Sequence, residues 1–358
     1  MIYLDYQATT PLAPEAREAM VHWLGGPESD SFGNPHSPHR IGRMAAAAVE
    51  VARAQVAGLF PPGGTVIFTS GATEAINLAI KGGPYGPAVC TTIEHAAVRD
   101  TARWYGEDMD LPVGPDGLVA PDVPIPMHAS LVAVMQVNNE IGTVQPVAAI
   151  AARTRAHGVL LLCDAVQGAG KLPPPYGADL IAVSAHKLHG PKGIGALWVR
   201  DGIELAPVTH GGGQEQGLRS GTLSPALCAG FGAAAALAVE RRAEDIAHVE
   251  ALWARARELF AGWTLNGSAE HRWRGNLNIR KDGLDVARLM SDCRGVMFSA
   301  GSACASGSGR PSHVLRAIGL TDRQAKSSIR LGFGRYTTME QIEQAAAQIN
   351  AAVREQGV

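Results

Sequence analysis

The amino-acid sequence predicts an α/β fold, with a large domain on a mostly parallel, mixed sheet and a smaller α+β domain beside it. Three observations carry this. Between about residues 50 and 200, short apolar runs alternate with helical stretches. The runs are apolar throughout, as in strands covered on both faces. Much of the glycine, 42 of 358 residues, clusters at the ends of the runs, and in open α/β sheets the carboxyl ends of strands are where ligands bind.

The runs are TVIFTS (65–70), AVCTTI (88–93), LVAVMQV (131–137), GVLLLCDA (158–165), LIAVSA (180–185) and GALWVR (195–200). Helical pieces such as TEAINLAIKG (73–82) and PVAAIAARTRA (146–156) separate several of them, the alternation typical of a parallel sheet. GALWVR follows its neighbour after only HKLHGPKGI, so it is expected to be an antiparallel edge strand. The Ala/Arg/Glu-rich stretch 225–261 reads as one or two helices leaving the sheet. After it, WTLNG, GNLNIR and GVMFSAGSA read as short extended segments, and 312–318 and 338–354 as helices. The expected division is a large domain over 16–243 and a small one formed by 1–15 with 244–358.

Composition excludes several classes. Hydrophobic residues make up 46% and charged ones 18%, enough for a buried core and too apolar for disorder. A net charge of −2 and 5% aromatics give no footprint for nucleic acid or an anionic membrane. The opening MIYLDYQATTPLAP has Asp5 inside a short apolar run and no basic flank, so no secretory leader is expected. No run approaches the ~20 apolar residues of a membrane helix. Five cysteines (90, 163, 228, 293 and 304) lack CxxC or Cys/His metal spacing, which leads us to expect free thiols, no metal site and a cytoplasmic location.

The chemistry sits where the apolar runs end. TVIFTS leads into Gly71-Ala72-Thr73-Glu74 and a helix, whose start is either an ordinary one or a seat for phosphate. Asp164 ends GVLLLCDA; an acid there needs a partner, either a structural arginine or a protonated ring nitrogen. LIAVSAHK places Ser184, His186 and Lys187 at the next end. A desolvated lysine can serve as a Schiff-base amine, although a single lysine of this kind more often lies on the surface. Together, the phosphate seat, the acid and the amine meet the three needs of pyridoxal phosphate. His95, ending AVCTTIEH, could stack on the ring or be a core histidine. Asn138 and Asn139 in VMQVNNEIG are suited to the ring's phenolic oxygen, to a substrate or to a turn.

At these residues the chain resembles the NifS/IscS-like cysteine desulfurases, fold-type I pyridoxal-phosphate enzymes of class V. YLDYQATTP, FGNPHSPHRIGR, FTSGATEAINLAI, EHAAV, VNNEIGTVQP, DAVQGAGKLP, SAHKLHGPKGIGAL, HGGGQEQGLRSGT, SAGSACASGSGRPSHVLRAIGL and SSIRLGFGR occur in that family's order, from residue 3 to about 335. The resemblance implies that Lys187 binds the cofactor covalently. Ala72 and Thr73, with Ser184 and His186, would hold the phosphate. Thr222 would reach the phosphate of a neighbouring subunit, implying a homodimer. Asp164 corresponds to the partner of the ring nitrogen, Gln167 to the contact of the ring hydroxyl, Asn139 to a cofactor contact and His95 to the stacking residue. Arg330 corresponds to the arginine that binds the substrate carboxylate, with Asn34 as a helper there or a turn former before Pro35.

Cys304 falls on the family's catalytic cysteine, whose thiolate takes sulfur from L-cysteine as a persulfide. Only the thiolate is an effective nucleophile, and His95 is a candidate for assisting its deprotonation. The implied partners are L-cysteine and a sulfur-acceptor protein, such as an iron–sulfur scaffold. The chain ends about two dozen residues after SSIRLGFGR, where housekeeping relatives carry a longer scaffold-contacting tail, so the acceptor stays open. The competing readings are a selenocysteine lyase or another class V lyase or aminotransferase, and a non-catalytic sulfur-relay protein. SAGSACASGSG has the longer form of the desulfurase group, and the intact Lys187, Asp164, His95 and Cys304 weigh against a non-catalytic chain.

Overall fold

The computed structural model describes residues 1–105, 110–301 and 311–358. Its largest sheet has seven strands, in the order Gly64–Thr69, Gly195–Arg200, Leu180–Ser184, Leu160–Asp164, Leu131–Met135, Ala88–Thr91, Asp110–Leu111. The last five pair in parallel. Leu131–Met135 and Leu180–Ser184 are buried at every position, as the unbroken apolar runs required. One apolar cluster, with Val134, Ile181, Phe68 and Phe231, covers one face of the sheet, and a second, with Leu162, Ala182, Ile76 and Ile80, covers the other.

Gly195–Arg200 is antiparallel to Leu180–Ser184, as its short connection requires, but it is not at the edge. Gly64–Thr69 pairs antiparallel along its outer side and is the edge strand instead. The physical reason is that GALWVR is buried almost throughout, and an interior place satisfies its backbone groups on both sides. Trp198 also packs under Gly64, where an added Cβ would lie 2.4 Å from the indole. The reversal has a consequence for the site: Gly64–Thr69 runs parallel to the main strands and ends on the same side of the sheet as they do.

The stretch 225–261 forms two helices, Pro225–Glu240 and Arg242–Leu259. A second sheet, antiparallel, has the order Ser299–Ala300, Ser328–Gly332, Asn276–Arg280, Thr264–Leu265. Its own core gathers Leu277, Ile329, Phe333 and Ile349 with Ile2 and Leu4 from the start of the chain. Ile2–Tyr3 pairs in parallel with Val296–Met297, and Gly332 N donates to Leu4 O. The first residues therefore fold with the last hundred. Among the described residues, no helix is long and apolar enough to cross a membrane.

Candidate functional site

The carboxyl ends of the parallel strands open into a cavity of about 540 Å³, within the usual size of a small-molecule site. Ala72, Thr73, His95, Asn139, Asp164, Gln167, Ser184, His186, Lys187 and Arg330 all line it. Thr222 and Asn34 do not. Thr222 is exposed, and Asn34, also exposed, accepts a hydrogen bond from His36 N at 2.9 Å, the turn-forming alternative. Cys304 lies outside the described residues.

One wall is the start of the helix Ala72–Gly82. Gly71 offers no side-chain cap, so first-turn amides remain for a ligand, at the positive end of the helix dipole. Glycine at 195 permits this placement, since a Cβ there would meet Gly71 Cα at 2.7 Å. Ser184 and His186 stand beside this wall. Burial, and then the charges of Lys187, Lys192 and Lys171, push His186 down to about 4. It is therefore a neutral hydrogen-bonding ring at neutral pH, with Nδ1 3.1 Å from Thr9 Oγ1.

Lys187 follows Leu180–Ser184 in a single helical turn. Its Nζ donates to Gln7 O at 2.6 Å and Ala8 O at 2.8 Å. Gln167 Nε2 donates to the same Gln7 carbonyl at 2.9 Å. His95 caps the helix Ala96–Ala102, its Nδ1 accepting from Ala97 N at 3.1 Å. In the neutral ring Nε2 then carries the proton. Asn138 accepts from Glu140 N and Ile141 N and shapes the turn, leaving Asn139 on the cavity.

Asp164 is only 6% exposed. Burial raises its carboxyl above the ordinary value, opposed by the Val166 N–H and by nearby His95 and Lys187. Oδ1 accepts from Val166 N at 3.0 Å, and the carboxyl makes no ion pair among the described residues. Gln167 Oε1 is likewise buried without a partner. A buried acid without an ion pair, an unpaired amide oxygen and a helix start without a side-chain cap, all on one cavity among the described residues, fit a cofactor with a protonated ring nitrogen, a ring hydroxyl and a phosphate.

Arg330, 1% exposed, enters from the four-stranded antiparallel sheet. Nη1 donates to Asn139 O at 3.0 Å, and Nη2 to Asp5 Oδ1 at 2.7 Å and Ser299 Oγ at 3.2 Å. From the sequence, Asp5 was noted only as interrupting an apolar run and Gln7 not at all; neither was read as a site residue. The available signal was an acid and an amide in a short opening segment rich in apolar residues.

Comparison with known proteins places this geometry. The class-V aminotransferase family model matches residues 2–345. The "Cysteine desulfurase IscS" of Ectopseudomonas mendocina (strain ymp) is 43% identical over 375 residues, covering 98% of this chain and 92% of that protein. The protein of that name from Rickettsia akari (strain Hartford) is 41% identical over 372 residues, covering 96% and 89%. A solved "NifS-like protein" superposes with a TM-score of 0.89 at 30% identity, covering 99% of both chains. A structure titled "SspA in complex with cysteine" gives 0.80 at 33%, covering 94% of this chain and all of that one. With its sheet order, its strand-end cavity and a match over nearly its whole length, the chain belongs to the class-V aminotransferase family.

Proposed function

We propose that this chain is a cysteine desulfurase, converting L-cysteine and the Cys304 thiol to L-alanine and a Cys304 persulfide. The C–S bond of the substrate breaks, an S–S bond forms on Cys304, and the substrate carbon takes a proton. The observation that carries the reading is the convergence of Lys187, Asp164, His95 and Arg330 on one cavity at the strand ends. The relatives named cysteine desulfurase support the substrate and reaction.

Pyridoxal phosphate, when bound, supplies the electron sink for the reaction at the substrate Cα. Ala72, Thr73, Ser184 and His186 would hold its phosphate, Asp164 its ring nitrogen and Gln167 its ring hydroxyl, while His95 would face the ring and Asn139 would add a contact. Arg330 binds the substrate carboxylate through its planar fork. Lys187 Nζ, held at the cavity by the Gln7 and Ala8 carbonyls, would move the proton at the substrate Cα. His95 assists deprotonation of Cys304. Thr222, exposed on its own chain, completes the phosphate site of a second copy in a homodimer, and Asn34 helps at the substrate carboxylate. The persulfide passes to an acceptor protein in the cytoplasm, an iron–sulfur scaffold or another sulfur-trafficking partner.

Incubation with L-cysteine and a reductant tests this, with sulfide and alanine measured together. Wild type should give both in equal amounts. Cys304→Ala should keep the cofactor colour and lose sulfide release. Undiminished sulfide from that variant would refute the persulfide step.

A further inference from the structure

We propose that Asp5 is a positioning residue for substrate, the carboxylate that aims the Arg330 guanidinium at the incoming α-carboxylate. This rests on the reading of Arg330 given above and adds a residue to it.

Arg330 is buried with a charge that must be balanced, and Asp5 is its one ion-pair partner among the described residues. The contact is short, 2.7 Å from Nη2 to Oδ1. Ser299 closes a triangle, donating from Oγ to the same Asp5 oxygen at 2.9 Å while lying 3.2 Å from Nη2. Ser299 sits directly opposite Arg330 in the antiparallel pair of strands. Asn139 O takes Nη1 from the other side. Two of the three guanidinium nitrogens are thereby fixed, while Nε has no acceptor among the described residues.

A guanidinium on a long stem loses substantial rotamer freedom when ordered, and a ligand that must also order it binds more weakly. Asp5 meets that cost before substrate arrives. Its own position is secured by the backbone, because Asp5 bridges to Gly332, two residues beyond Arg330 on the same strand. Acid and arginine are thus carried by neighbouring segments of one sheet. Asp5 is half-buried, 20% exposed at its side chain, so the pair is far better shielded from solvent than a surface ion pair.

Two amines separate aiming from general damage. L-alanine, the product of the proposed reaction, carries the α-carboxylate, and ethylamine is the same molecule without it. Each is titrated into the holoenzyme and followed by the absorbance of the cofactor. In Asp5→Asn, the preference for L-alanine over ethylamine should fall about tenfold, the loss of one charge-assisted hydrogen bond. Ethylamine affinity should be unchanged. With L-cysteine, KM should rise while kcat holds. In the Arg330→Ala background, Asp5→Asn should have no further effect on the preference, since aiming an absent guanidinium is meaningless. An unchanged preference, equal weakening of both amines, or a loss that persists without Arg330 would each overturn the role of Asp5. A wild-type enzyme with no preference for L-alanine would instead refute the reading of Arg330, and the proposal with it.

Discussion

The two walls of the cavity are built in opposite ways. On the wall of the seven-stranded sheet, Lys187, Asp164, Ser184 and His95 each follow the carboxyl end of a parallel strand, and among the described residues Asp164 makes no ion pair and the neighbouring Gln167 Oε1 has no hydrogen-bond partner. On the wall of the four-stranded sheet, Arg330 is tied at once to Asp5, Ser299 and Asn139. One wall keeps an acid and an amide oxygen open to a ligand, and the other holds its guanidinium at both Nη atoms. In the reading proposed above, the difference separates the cofactor's seat from the recognition of the substrate carboxylate.

The largest expected effect lies on the open wall. Lys187→Ala should lower turnover by about 10³-fold, the range of a positioned acid–base group, while its melting temperature stays near that of wild type. Borohydride should then trap no cofactor on the protein, and a retained reducible adduct would refute the assignment. On the fixed wall, Arg330→Lys should raise KM for L-cysteine by about tenfold with kcat nearly kept, because a point charge replaces a planar fork. An equal fall in kcat would erase the contrast between the walls.

A third prediction concerns the carboxyls behind the open wall. Burial, and then the Asp164 carboxylate, push Glu94 up to about 8. A folded-state value above the unfolded one means the folded protein holds the extra proton. Its contribution to stability is therefore full below about pH 4.5 and is lost as pH rises toward 8. Glu94→Gln keeps an acceptor for Thr91 Oγ1 and Met135 N and cannot ionise. Urea midpoints should show the variant gaining on wild type from pH 5 to pH 9, and a pH-independent difference would remove the basis for it. The smallest effect should come far from both walls. Thr338→Ala breaks the capping box of the helix Met339–Glu355 and should cost about 1 kcal/mol in denaturant melts, with KM and kcat unchanged.

The same contrast explains what the sequence made legible. Asp164 and Lys187 could be marked as candidates locally, since each is a charged residue at or just past the end of an apolar run, although each alone had an ordinary structural reading and only their combination pointed to a cofactor. His95 and the Gly71–Thr73 turn follow the same rule. Arg330 was found only through resemblance to a family, and Asp5 not at all, because their pairing joins residues 325 positions apart. No local period or propensity encodes such a contact. The place of Gly195–Arg200 failed for a related reason: a short connection gives a strand's direction relative to its neighbour, but not what pairs along its other side. Which strand closes the edge is decided by Gly64–Thr69, more than a hundred residues earlier.

The opening segment adds a matter of timing. Ile2–Tyr3 pair with Val296–Met297, Leu4 and Tyr6 bond to Gly332, Gln7 and Ala8 hold Lys187, and Thr10 Oγ1 donates to His186 O and accepts from His189 N. During synthesis these residues are made long before partners as late as Gly332. The parallel strands of the large domain can collapse earlier, in the order in which they are made. The contacts of Lys187 with Gln7 and Ala8 thus tie the large sheet to a segment whose own partners are made more than a hundred residues later.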